Sequence, residues 1–187
     1  MSAAPKANRG PSAGPANRRA LIAAAREVFA DDGYSAPLSS VARRAGVGQG
    51  SLYRHFPDRI SLAIAVFDDN ITELESLADL PATTLDDLLD AVVEQVLVST
   101  AMIDMILSDR DDARVGHLGE RMLTVVTRVA DREQAAGRLR PGVGASDIFL
   151  AVSMIAGVLA SAPAAQRRDV AARARRLLEP AFVPRSP

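Results

Sequence analysis

Leu38 to Arg59 reads LSSVARRAGVGQGSLYRHFPDR, and the reading of this stretch decides the fold class. Pro37 opens a short helix with Val41, Ala42 and Ala45 inward, and Gly46-Val47-Gly48 interrupts it. A second helix of barely two turns covers roughly Gln49 to Phe56, and Pro57-Asp58 closes it, with Asp58 placed to cap the next. Residues four apart share a helix face. Leu52 and Phe56 therefore form one apolar stripe, while Gln49/Tyr53, Gly50/Arg54 and Ser51/His55 form three that are polar or bare. One stripe anchors the rod and three face out. Two short helices joined by a glycine turn are the form of a helix-turn-helix unit, whose second helix enters a major groove. Gln can pair with adenine and Arg with guanine, Ser and Tyr hydroxyls can donate to phosphate, and Gly50 lets the backbone come close. By periodicity alone, a plain two-turn surface helix fits equally well.

Outward from this unit the chain reads as all-α. Strand-type alternation is nearly absent, and apolar residues recur at helical spacing almost throughout. A helix ahead of the unit starts at Asn17, carries Leu21, Ala24, Ala25, Val28 and Phe29 on one face, and ends at Gly33. Residues 1–16, rich in Ala, Pro, Gly and Ser, are expected to be a flexible tail rather than an export signal. Behind the unit, helices are expected over about Arg59–Leu77, from near Thr84 through Leu97, over Asp112–Ala136 with a stop at Gly137, and over Ala145–Ala160 and Gln166–Ala181. The expected organisation is a tail (1–16), a helix-turn-helix domain (17–62) and a helical bundle for sensing and dimerisation (63–187).

The net charge of −1 hides an asymmetry. Residues 1–60 carry nine Lys/Arg against four acids, hence +5, and the remainder is −6. A basic front on an acidic body suits a head that faces nucleic acid, although basic solvated helices are common. The absence of cysteine excludes disulfides, Cys-bearing zinc sites and thiol catalysis, and fits a cytoplasmic setting. The longest uncharged stretch, Ile148 to Gln166, is broken by Ser153, Gly157, Ser161 and Pro163 and reads as a buried helix rather than a membrane span.

The stretch RRALIAAAREVFADDGYSAPLSSVARRAGVGQGSLYRHFPDRISLAIAVF resembles the DNA-binding domain of TetR-family transcriptional regulators. The resemblance is carried by FADDGY at the end of the first helix, VARRAGVGQGSLYRHF through the turn, and the acidic-basic pair opening the fourth. It covers about residues 17–67, and the body is similar only in length and helix order. The resemblance implies that Gln49, Gly50, Ser51, Tyr53 and His55 face DNA, joined by Arg54. It places Arg59, where the family more often has lysine, on a phosphate, and Ser39 and Ser40 against the backbone. Pro37 stands where many relatives have Ser or Thr, which removes a hydroxyl. Of the adjacent Arg43 and Arg44 at most one can touch DNA, and Arg44 is taken as that one. Arg18 and Arg19 are either a backbone clamp or solvated.

The body offers weaker signals. Phe67, Met102, Met105, Met122 and Val125 are candidate cavity liners as inward residues, with His117 added as a polar candidate; core packing explains the apolar ones equally well. IFLAVSMIAGVL, Ile148 to Leu159, is apolar on more than one face and must be covered on each. The family resemblance implies a dimer built on the last two helices, here through Ala151, Ile155, Ala156, Leu159, Ala174 and Leu178. No catalytic constellation, cofactor motif or metal motif is present, so no enzyme is expected. The expected function is a DNA-binding regulator, a homodimeric repressor released from operator DNA by a small-molecule effector. The rival is a helical protein-interaction module, distinguished by large apolar residues on the outward face of the third helix.

Overall fold

The computed structural model describes residues 14–98, 100–109 and 111–184. Every regular element among them is helical. The chain divides into two compact units between Val66 and Phe67. The expectation of 62/63 falls short by four residues, because Leu62, Ala63 and Val66 are buried and belong with the first unit.

The first unit holds α1 (Gly14–Asp32), α2 (Leu38–Arg44), α3 (Gln49–His55) and the start of α4 (Arg59–Asp79). Helix α1 begins three residues earlier than its Asn17 cap would place it. Pro15 suits a first helical turn, so Gly14–Ala16 belong to the helix and not to the tail; residues 1–13 lie outside the described ones. Leu21, Ala24, Ala25, Val28 and Phe29 are its buried face, spaced three and four apart as an amphipathic helix requires. Pro37 is the N-cap of α2, with extended backbone, rather than its first helical residue. The turn between α2 and α3 is fixed by two backbone bonds: Val47 N–H donates to Ala42 O at 3.0 Å and Gly46 N–H to Arg43 O at 3.2 Å. This is the Schellman pattern, and Gly46 supplies its left-handed residue at φ +65°. Asp58 caps α4 as its position suggests, accepting from Ser61 N–H at 2.7 Å.

The second unit holds the rest of α4, then α5 (Leu85–Val98), α6 (Ala101–Ser108), α7 (Ala113–Ala135), α8 (Ala145–Ser161) and α9 (Arg167–Phe182). All the expected ends lie within two residues of these, whereas α6 has no counterpart in the sequence reading. Its eight residues, AMIDMILS, are too short and too evenly apolar to show a helical period. Helix α8 is the centre of this unit, packed against α5, α6, α7 and α9. Ile148, Ala151, Val152, Ile155, Ala156 and Leu159 form its buried side. Helix α7 ends in a second Schellman turn, Arg138 N–H to Glu133 O at 2.9 Å, with Gly137 at φ +68°.

Arginines of α7 hold the body part of α4. The Arg121 guanidinium donates to Glu75 at 2.8 Å and to Asp68, Arg128 meets Asp79 at 2.6 Å, and Arg132 donates to Ala78 O at 2.6 Å. The bond from Arg121 holds the Glu75 carboxyl below its usual value. Among the described residues no single helix is long and apolar enough to cross a membrane.

Candidate nucleic-acid interface

Helix α3 is anchored as its sequence dictates. Leu52 is 1% and Phe56 2% exposed, both inside the small core that α3 makes with α1 and α2. Gln49, Gly50, Tyr53 and Arg54 are exposed, and Ser51 and His55 are half-buried. Tyr53, at 53% exposure, is the large aromatic of this face, so the outward surface of α3 is polar with one amphipathic ring. A Cβ added at Gly50 would meet nothing within 4 Å, so neither packing nor backbone conformation demands glycine there. The Arg54 Nε–H turns back to Gly50 O at 3.2 Å, along its own helix. From the first turns of α1 the Arg18 guanidinium lies over the Phe56 ring, 5.3 Å from its centre.

Two of the expected basic contacts are spoken for within the unit. The Arg44 guanidinium donates to Glu27 at 2.8 Å and lies 3.8 Å from Asp31, both on α1. The hydrogen bond to Glu27 holds its pKa above the ordinary value. Its neighbour Arg43 points elsewhere, with Nη2 3.4 Å from Ser40 Oγ, and it borders a shallow depression with Ser39, Gly46, Val47 and Gln49. Since adjacent residues on a helix face different ways, Arg43 is the one beside α3 while Arg44 turns to α1. Arg59 is engaged within the unit as well. Its Nη1 donates to Tyr34 O and Ala36 O, each at 2.5 Å, and the guanidinium sits 5.6 Å from the Tyr34 ring centre. It ties the α1–α2 connection to the start of α4. Ser39 is exposed and Ser40 half-buried at the start of α2.

The body candidates separate more sharply. Met102 and Met122 line an apolar cavity of about 230 Å3 walled by residues of α4, α5, α6, α7 and α8. Phe67, Met105 and Val125 do not line it; at 2%, 0% and 0% exposure they are packed core. His117 is on the surface, its Nδ1 3.5 Å from Glu120, one position off the buried face that carries Val115, Leu118 and Met122. Adjacent helical residues diverge by about 100°, a signal already present in the sequence.

Ala151, Ile155, Ala156 and Leu159 are buried within the chain, and Ala174 and Leu178 are half-buried. The apolar residues α8 exposes are Leu150, Met154 and Val158, four apart, and α9 adds Leu177 at 80% exposure.

Comparison with known proteins bears on the head first. Residues 21–66 match the family described as bacterial regulatory proteins, tetR family. Among curated proteins, the HTH-type transcriptional activator FasR of Mycolicibacterium smegmatis is 42% identical over 60 residues, 32% of this chain and 27% of that one. The A-factor receptor protein of Streptomyces griseus is 40% identical over 58 residues, 30% of this chain and 21% of that one. The matched part thus spans about a quarter of the length of these relatives. Among solved structures, the TetR transcriptional regulator SCO0520 from Streptomyces coelicolor is similar over 90% of this chain and 99% of that chain, with 29% identity and a TM-score of 0.65.

Proposed function

Taking as premise that the chain belongs to the tetR family of bacterial regulatory proteins through its N-terminal unit, we propose that it is a sequence-specific DNA-binding regulator that reads duplex DNA with α3. The observation that carries this is the division of α3 itself. Leu52 and Phe56 hold it from inside, while Gln49, Gly50, Tyr53 and Arg54 stand in solvent. Gln49 and Arg54 supply base-edge chemistry, and Tyr53, Ser51, Ser39 and Arg43 supply phosphate chemistry. The bare Gly50 suits close approach of backbone to DNA. A protein partner would ask for several large apolar residues on this face, and α3 offers only Tyr53.

The active form is a homodimer whose contact includes Leu150, Met154, Val158 and Leu177, exposed on two helices that pack together. A two-fold dimer reads two half-sites about 34–36 Å apart, or a multiple of that. The finer proposal is a repressor released by an effector that enters the body. Such a ligand shifts binding only by its differential affinity for the DNA-competent state and the other. One relative is a receptor and another an activator by name, so the sign of control must be measured.

Selection of bound duplexes from a random pool tests the reading. Enrichment of a near-palindromic site, bound more weakly as salt rises, is the expected result. Recovery of no common sequence at low salt overturns it.

A further inference from the structure

We propose that the cleft between the start of α5, the end of α7 and α9 binds a planar organic cation, an amidinium or guanidinium on a small hydrocarbon body. Arg138 fills the cation position until such a ligand displaces it. The site is separate from the apolar cavity that Met102 and Met122 line, and it rests in no way on the DNA reading of α3.

The cleft holds about 430 Å3, inside the range of roughly 300–1,000 Å3 common for small-molecule sites. Its floor is hydrocarbon: Leu85, Leu89, Leu139, Ile155 and Phe182 border it, each less than one-tenth exposed. The Arg140 backbone N–H donates to Phe182 O at 2.7 Å, which ties the end of α9 to the segment after α7 and fixes that wall. The carboxylates of Asp86, Glu133 and Glu179 border the same space against the guanidiniums of Arg138 and Arg175, so the balance favours a cation over an anion. Arg175 is kept in place from two sides, by Asp86 at 3.1 Å and Asp90 at 3.3 Å.

Glu133 is the deciding group. It is buried two residues before the end of α7, where the helix dipole disfavours an anion. A buried ion pair adds little net stability, and apolar residues of similar volume often serve a fold as well or better. Its partner is Arg138, whose Nη2 donates to one carboxylate oxygen at 2.7 Å and whose Nε lies 3.2 Å from both. The two side chains are held unequally, for Glu133 is 7% exposed and Arg138 56%. The carboxylate is thus a fixed acceptor on a cavity wall, and the guanidinium on it is a half-solvated group on a flexible stem. A ligand amidinium offers the same planar fork of N–H donors and adds a ring to cover the hydrocarbon floor. Arg138, once displaced, returns its charge to water.

The test uses the full chain without DNA and three probes of like shape, benzamidine (a cation at pH 7), benzamide and benzoate, in calorimetric titrations and thermal melts. Benzamidine is expected to bind once per chain and raise the melting temperature, with benzamide and benzoate at least about tenfold weaker. Glu133→Gln keeps the shape without the charge, and should melt cooperatively and lose the benzamidine heat. Arg138→Ala strands the buried carboxylate, so its melting temperature should fall. Benzamidine should then bind about tenfold more tightly than to the parent, since no tethered guanidinium competes, and should restore the melting temperature where benzamide does not. An ion pair with a structural task alone gives the fall without the rescue. Equal binding of the three probes, undiminished binding by Glu133→Gln, or an Arg138→Ala chain that benzamidine does not rescue overturns the proposal.

Discussion

Helices α3 and α8 solve opposite problems with the same device. Each has an inward stripe that fixes it and an outward stripe that is left over. In α3 the inward stripe is only Leu52 and Phe56, and the leftover is Gln49, Gly50, Tyr53 and Arg54. In α8 six buried residues hold the helix, and the leftover is Leu150, Met154 and Val158. The leftover face declares the partner, since polar groups of groove-reading type suit nucleic acid and a regular row of large apolar groups suits another apolar surface. The inner stripe does not declare it, because core looks alike everywhere.

The contrast can be broken from the inside or the outside. Phe56→Ala removes half of the anchor of α3 and should cost the head about 3–5 kcal/mol in denaturant unfolding, with DNA binding lost as a consequence. On α8, Met154→Glu should give a folded monomer by sedimentation, with helical content unchanged by circular dichroism. Ala156→Glu, by contrast, buries an unpaired charge at a site 6% exposed and should unfold the body. A Met154→Glu chain that stays dimeric places the contact on another surface.

From the outside, Tyr53→Ala should leave the melting temperature unchanged and weaken selected-duplex binding by about 1–2 kcal/mol. A smaller contrast sharpens the two neighbouring arginines. Arg43→Ala should reduce the salt dependence of duplex binding by about one phosphate contact, while Arg44→Ala, whose guanidinium is occupied by Glu27, should leave the slope alone. Equal slopes for both variants would return the contact to Arg44 or remove it from both.

The smallest effect concerns acid. Glu75, hydrogen-bonded by Arg121, and Asp112, held down to about 2 as the N-cap of α7 beside Arg114, both titrate below their ordinary values. A depressed carboxyl contributes stability that is present above its unfolded pKa and is lost as pH falls through the folded one. Thermal melts of Glu75→Gln should therefore differ most from the parent at neutral pH, with the gap closing below about pH 4.5. The Glu75 carboxylate is solvent-accessible enough that the difference should stay below about 1 kcal/mol.

What could be read beforehand was what neighbours along the chain decide. The Gly46 turn, the Asp58 cap, the Gly137 stop and the Leu52/Phe56 anchor all depend on residues within four or five positions, and the structure has each of them. What escaped depends on residues brought together from afar. Arg44 rather than Arg43 is drawn away from α3 because Glu27, seventeen residues earlier, lies beside it. Arg59 is claimed by carbonyls of Tyr34 and Ala36. For α8, apolar almost all round, no sequence period says which apolar side is the inner one, so small residues suited to close approach were assigned outward and proved to be core. His117 was legible and misassigned, since the buried face of α7 runs through Leu118 and not through its neighbour.

The most direct test of the outward face of α3 is a base-by-base substitution scan of the selected duplex with the parent chain and with Gln49→Ala. The parent should discriminate at several positions in each half-site, and Gln49→Ala should lose discrimination at one of them, worth about 1–3 kcal/mol, while keeping the rest. A parent chain indifferent to every substitution, or a Gln49→Ala profile identical to the parent's, would mean that α3 does not read the bases through this residue.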